Sequence, residues 1–221
     1  MILDFAILFS LACEKKREKP ANLRMVPADS YLVSDDSQRG SEDLAGWLRD
    51  LRSKDSNQRY NAKRAIVAMA DGSIESRKQV VSELLKLARA QNATSEFARS
   101  PERFLEWKEV TDILGELKST EAIDVLIQCL DCNNGHAGRS PDRFPAARAI
   151  IMIGKPAIPK LAEALQSESA GTRLMAAEAL YAIGGPESKE ALKGAAQGQR
   201  YKETAAVVRD MLLNWERSGK R

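Results

Sequence analysis

The sequence predicts an all-α fold, a right-handed solenoid of about five helix pairs, and three observations carry that expectation. A pattern of small and aliphatic residues recurs along the chain in one register without gaps, which is the mark of a stacked repeat. Between its copies lies a second set of amphipathic stretches. The composition, 43% hydrophobic and 29% charged with 5% aromatic residues, is that of a helix-rich protein with an aliphatic, alanine-filled core. At 221 residues the chain can bury such a core without a metal or a disulfide framework. The net charge of +3 is too small a bias for a dedicated nucleic-acid binder.

Residues 1–13 read as a signal-like segment. Ile2 to Ala12 is almost purely apolar, and Phe5 to Ala12 has the length of a signal-peptide core and is too short to span a bilayer. It ends at Leu11-Ala12-Cys13, before the charged run Glu14-Lys15-Lys16-Arg17-Glu18-Lys19. This arrangement resembles a bacterial lipoprotein signal, in which the cysteine, here Cys13, is lipidated and becomes the mature N-terminus. It departs from that pattern at Asp4, where positive charge is usual, and at Ser10, where Leu is usual. The resemblance implies a lipid-anchored or periplasmic protein of the cell envelope; a short apolar arm on a cytoplasmic protein is the alternative. Residues 14–40 carry Pro20, Pro27 and several Ser and Asp without a sustained apolar period, and read as a disordered tether.

Residues 41–221 carry the repeat. Arg59, Ala62, Ala65, Ile66 and Met69 have the spacing of Arg143, Ala146, Ala149, Ile150 and Ile153, and of Arg173, Ala176, Ala179, Leu180 and Ile183. Trp107, Val110, Ile113, Leu114 and Leu117 repeat it with larger side chains, and Tyr201, Thr204, Val207, Val208 and Met211 form a worn fifth copy. Positions i, i+3, i+6, i+7 and i+10 share one helical face. Gly154 and Gly184 stand just past two of the copies, where a left-handed cap is expected. The partner helices are expected over Leu44 to Leu51, Ile74 to Ala88, Ala122 to Leu130, Ile158 to Leu165 and Ala191 to Ala195. Several are too short to be stable alone, so their stability must come from stacking on neighbouring pairs.

The run Thr172-Arg173-Leu174-Met175-Ala176-Ala177-Glu178-Ala179-Leu180-Tyr181-Ala182-Ile183-Gly184 resembles the HEAT-like repeat of the phycobilisome-lyase type. Lys155-Pro156-Ala157-Ile158-Pro159-Lys160-Leu161 resembles the start of that family's other helix. The resemblance covers about Ser41 to Trp215. It implies the α-solenoid fold and is nearly silent on function.

In such a stack the positions opposite the core, i+1, i+5 and i+8, line a concave face. They supply Tyr60, Arg64 and Val67 from the first copy, and Lys108, Asp112 and Gly115 from the second. Phe144, Arg148 and Ile151 follow, then Leu174, Glu178 and Tyr181. Phe144, Ile151, Leu174 and Tyr181, with Arg148 and Glu178 between them, form an expected apolar patch with the composition of a protein-binding hot spot. The competing reading is that curvature buries the i+8 position against the next repeat.

A second candidate surface is an edge. Arg99-Ser100-Pro101-Glu102-Arg103-Phe104 recurs as Arg139-Ser140-Pro141-Asp142-Arg143-Phe144, each copy closing a long loop, 91–100 and 132–140. Ser before Pro with an acid beside it is a good helix start. Arg99, Arg103, Arg139 and Arg143 would also give that edge a grip on an acidic partner, although an Arg at position i is an ordinary feature of the repeat.

Cys129 and Cys132, followed by His136, lack the further ligands that zinc needs and the adjacent His of a haem attachment site. A buried thiol at Cys129 is the leading expectation, with a local disulfide to Cys132 as the alternative open to an exported chain acylated at Cys13. With a single His there is no Ser-His-Asp or Cys-His set, and no Gly-rich phosphate loop. Glu109 and Asp112 read as solvated carboxylates on a helix surface. The expectation is therefore a scaffold with no catalytic residues, cofactor or metal. It binds a protein or peptide on the concave face or the looped edge; a nucleic-acid partner is not expected. The alternatives are a polyanion-binding repeat protein, or an enzyme like the phycobilin lyases and alkylbase DNA glycosylases that share these repeats. For the latter, Trp107 and Asp112 are the candidate aromatic and acid.

Overall fold

The structure is a computed structural model and describes residues 40–92, 101–132, 143–198 and 200–218. The signal-like segment with Cys13, the tether as far as residue 39, Arg99, Arg139, His136 and most of the two long loops lie outside these residues. Ten α-helices occur among the described residues, and no strand. They are α1 (Gly40–Asp50), α2 (Ser56–Gly72), α3 (Ile74–Asn92), α4 (Pro101–Glu116), α5 (Ile123–Ile127), α6 (Pro145–Ile153), α7 (Ile158–Ala164), α8 (Ala170–Ile183), α9 (Gly185–Gln197) and α10 (Lys202–Arg217). Single 3-10 turns, Thr120–Ala122 and Lys155–Ala157, lead into α5 and α7.

The helices form two rows. In the even row α2 packs on α4, α4 on α6, α6 on α8 and α8 on α10; in the odd row α3 packs on α5, α5 on α7 and α7 on α9. The rows face each other within each pair, from α1 with α2 to α9 with α10. The result is an all-α solenoid in which each pair is stabilised chiefly by its neighbours.

The expected register sits on the even row. Ala62 and Ile66 of α2, Val110, Ile113 and Leu114 of α4, Ala146, Ala149 and Ile150 of α6, Ala176, Ala179 and Leu180 of α8, and Val208 of α10 are all buried. Each fully buried Ile or Leu contributes about 1.5–3 kcal/mol relative to exposure. Small residues set how close the rows come. A Cβ added to Gly115 of α4 would lie 2.8 Å from the Ala149 Cα of α6, so the absent side chain is what allows these two backbones to meet.

The helix ends follow local chemistry. Asp55 caps α2, its carboxylate accepting from the Asn57 amide at 2.9 Å, and Ser169 caps α8 by accepting from the Thr172 amide. Gly154 and Gly184 close α6 and α8 at φ 81° and 78°, the sign of φ expected there, but with ψ of −137° and −169° in place of the left-handed helical value, a setting that side chains essentially exclude.

α1 begins at Gly40, α3 runs on to Asn92 and α5 is confined to Ile123–Ile127, and two further boundaries differ more. The helix expected over Ala191 to Ala195 is the full α9, beginning at Gly185 with Pro186 in its first turn. The third copy of the register does not begin in a helix at Arg143. Pro145 opens α6, and Phe144 before it is the N-cap in an extended conformation, because the residue preceding a proline is driven out of the helical region.

Candidate functional site

The face of α2 that carries Tyr60 and Arg64 is open to solvent. Tyr60, Arg64 and Val67, expected together on the concave face, line a groove of about 400 Å³ with Lys63, Ala68 and Asp71 of α2 and Glu116 of α4. Tyr60 is 59% exposed, an unusual position for a large aromatic side chain. The Arg64 guanidinium lies 6.0 Å from the centre of the Tyr60 ring, at the outer limit of a cation–π contact. The other charges of the groove are matched: Lys63 Nζ is 3.0 Å from Glu116 Oε2, and Asp71 Oδ1 is 3.5 Å from Arg77 Nη1. Arg64 has no carboxylate partner among the described residues.

Beyond the groove, α4 presents a column of carboxylates, and here the solvated-face expectation fails. Glu106, Glu109 and Asp112 are 2%, 8% and 6% exposed. Arg52 Nε donates to Glu106 Oε1 at 2.6 Å; Glu109 Oε1 is 3.4 Å from Arg59 Nε and 3.3 Å from Lys108 Nζ. Asp112 is bound by Arg148 of α6 and lies 3.5 Å from Lys108. Stacking brings arginines of the neighbouring pairs over α4, and burial of these carboxylates is tolerable because each is paired. Burial also removes Trp107 and Asp112 as a glycosylase-like pair: Trp107 is fully buried, and Asp112 is engaged by two cations.

The expected apolar patch is mostly covered. Phe144 is 6% exposed, because its extended N-cap conformation turns the ring onto the core. Ile151, Leu174 and Tyr181 are half-buried and pack against the core, Tyr181 meeting Trp215 of α10 edge-to-face at 5.4 Å between ring centres. Gly115 is buried under α6 as well, so the i+8 position is covered by the next repeat at α4, whereas Val67, its counterpart in α2, lines the open groove. Arg148 and Glu178 remain half-exposed. The exposed apolar side chain of this region is Met152, which the register did not single out.

On the looped edge, Arg103 and Arg143 are exposed, while Arg99 and Arg139 lie outside the described residues. The position-i arginines of two other copies have a structural task. Arg59 Nη1 donates to the Ser53 and Lys54 carbonyls at 2.7 and 3.1 Å, and Arg173 Nη1 donates to the Ser167 and Glu168 carbonyls at 2.8 and 2.9 Å. Each ties down the turn ahead of its own helix. Arg173 also donates to Thr204 Oγ1 at 3.1 Å and stacks on Tyr201 at 3.7 Å.

The leading expectation of a buried thiol is overturned: Cys129 and Cys132 form a disulfide. The turn leaving α5, closed by Cys132 N donating to Cys129 O at 3.1 Å, brings the two Cα atoms to 5.1 Å, within bridging range. Among the described residues no group of three or more His, Cys, Asp and Glu is placed to hold a metal ion.

Residues 139–212, spanning α6 to α10, match the family model for HEAT repeats, and residues 108–132, most of α4 and α5, match the PBS lyase HEAT-like repeat. The chain carries HEAT-like repeats over these residues. None of the curated proteins compared with it matches. HEAT repeats commonly mediate protein interactions. No helix among the described residues is long and apolar enough to cross a membrane.

Proposed function

We propose that the protein is a non-catalytic interaction scaffold that holds an acidic peptide segment of a partner protein in the groove over α2. The observation that carries this reading is Arg64, uncompensated in an open groove beside the 59% exposed ring of Tyr60. A peptide carboxylate would form a charge-assisted hydrogen bond with the guanidinium, and a neighbouring apolar side chain would lie on Val67 and Ala68 against the Tyr60 ring. Arg52, Arg59 and Arg148 are already neutralised by the α4 carboxylates. That pairing works against a basic track for a polyanion among the described residues of this face, which disfavours the nucleic-acid alternative.

We further propose a cell-envelope location with attachment through lipidated Cys13. It is supported by the apolar stretch ahead of Cys13 and by the disulfide, since such bonds persist in oxidising compartments. Mass spectrometry of the mature protein tests it: a diacylglyceryl cysteine at position 13 is expected, and an intact Met1 overturns it.

The binding reading is tested with a fluorescein-labelled peptide alternating glutamate and leucine, and its lysine counterpart, by fluorescence polarisation. The glutamate peptide is expected to bind, more weakly as salt rises, and Arg64→Glu and Tyr60→Ala are each expected to weaken it by about tenfold or more. Equal binding of the lysine peptide, or affinity unchanged in both variants, overturns it.

A further inference from the structure

Asp131, set between the two bridged cysteines, spends its carboxylate in another repeat. Its Oδ2 accepts from Ser169 Oγ at 2.7 Å, and Ser169 is the N-cap of α8, the same oxygen accepting from the Thr172 amide at 3.2 Å. A Cβ added to Gly171 would lie 2.5 Å from that Oδ2, so the carboxylate occupies the space a side chain at 171 would need. The turn after α5 thus delivers a negative charge to the positive end of α8, three helices further on, where it is stabilising.

The turn that delivers it has little else to hold it. The helix before it, α5, is five residues long, and its exit is a run of i→i+3 hydrogen bonds, Cys129 N to Leu126 O, Leu130 N to Ile127 O and Cys132 N to Cys129 O, at 3.1 to 3.3 Å. The disulfide closes a loop of only four residues, so it removes little entropy from the unfolded chain. A helix C-terminus and a flanking carboxylate both disfavour a thiolate, the reverse of what a dithiol that catalyses exchange requires. Neither bulk stability nor redox catalysis accounts for the bridge.

We propose that the Cys129–Cys132 disulfide is a redox-dependent latch that holds Asp131 on the N-terminus of α8 and so locks the α5–α6 pair to the α7–α8 pair. On oxidation the two thiols give up two protons and two electrons to a disulfide-form oxidant, whose own S–S bond becomes two thiols as the Cys129–Cys132 bond forms; a dithiol reductant reverses the exchange. Reduced, the turn relaxes and the first turn of α8 loses its trans-repeat anion. The chain is therefore looser at this junction in a reducing compartment and stiffens on reaching an oxidising one, whatever the α2 groove binds.

The test is hydrogen–deuterium exchange across the first turn of α8, on the full chain, with and without dithiothreitol. Reduction is expected to speed exchange of the Thr172 amide by about tenfold, the scale of a lost helix-terminus charge. Asp131→Asn should exchange fast when oxidised and gain nothing further on reduction, and the Cys129→Ser, Cys132→Ser double variant should match the reduced protein. The latch is overturned by unchanged exchange in the reduced wild type, by equal acceleration in wild type and Asp131→Asn, or by free thiols in protein purified under air.

Discussion

Arg148 of α6 crosses the repeat boundary to ion-pair with the Asp112 carboxylate of α4, itself 6% exposed. The pair lies in a column that alternates in sign along the stack, and among the described residues Lys108 is the other cation at Asp112, at 3.5 Å. Removing Arg148 leaves a buried carboxylate with a more distant partner. Arg148→Ala is expected to cost about 1–3 kcal/mol in urea unfolding, below the cost of breaking a fully buried pair because Lys108 remains and the guanidinium is one-third exposed. The double variant with Asp112→Asn should recover part of that loss, and additive effects would show that the two residues are not coupled.

Two glycines make opposite predictions for the same substitution. Gly115→Ala places a Cβ 2.8 Å from the Ala149 Cα, a backbone atom that can move only if α4 and α6 separate, and a loss of about 1–3 kcal/mol is expected despite the better helix propensity of Ala. Gly46→Ala in α1 meets nothing within 4 Å and should gain about 0.5–1 kcal/mol. Denaturation midpoints of both variants decide the matter, and a stabilised Gly115→Ala would contradict the packing described for α4 and α6.

Replacing the buried arginine of α8 should be costly even when charge is kept. Arg173→Lys has no planar fork to reach the Ser167 and Glu168 carbonyls and Thr204 together, nor to stack on Tyr201. A loss of about 2 kcal/mol or more is expected in chemical denaturation. A loss below about 0.5 kcal/mol would mean that these bonds are dispensable.

Acid should act in part through Glu121. Hydrogen bonds from its own backbone amide and from the Ser119 hydroxyl, the latter at 3.0 Å, hold its carboxyl below the ordinary glutamate value. The unfolded chain therefore takes up this proton first as pH falls. The stabilisation is complete above the unfolded pKa and is lost as pH drops through the folded one. Urea midpoints followed from about pH 6 to about pH 3 should show the wild type converging on Glu121→Gln at the acid end. A constant gap would remove Glu121 from the acid response.

Much of the fold was legible because stacking writes itself into one register. Ala146, Ala149 and Ile150 repeat the spacing of Ala176, Ala179 and Leu180, and both sets are buried as the period requires. Tyr60 and Arg64 were legible as outward residues for the same reason. The burial of Glu109 and Asp112 was not, because a helical period gives direction around one helix and not the reach of an arginine from the next pair. The alternation Asp112, Arg148, Glu178 in one column was the available signal. Phe144 was misplaced because Pro145 shifts the helix start by two residues, a local effect that overrides periodicity. The latch between Asp131 and Ser169 had no sequence signature, since it depends on a turn in one repeat meeting a cap in the next.

The glycines that close α6 and α8 have a mechanical consequence. The chain leaves α6 at Gly154, and passes from α8 to α9 through Gly184 and Gly185, at positive φ, and at Gly154 and Gly184 the backbone setting is one that side chains essentially exclude. Gly154 and Gly184 therefore act as pivots whose angle is transmitted to everything downstream. A bulkier residue at either would alter the pitch of the superhelix as well as weaken one cap, turning the α10 end relative to α2 without touching either helix.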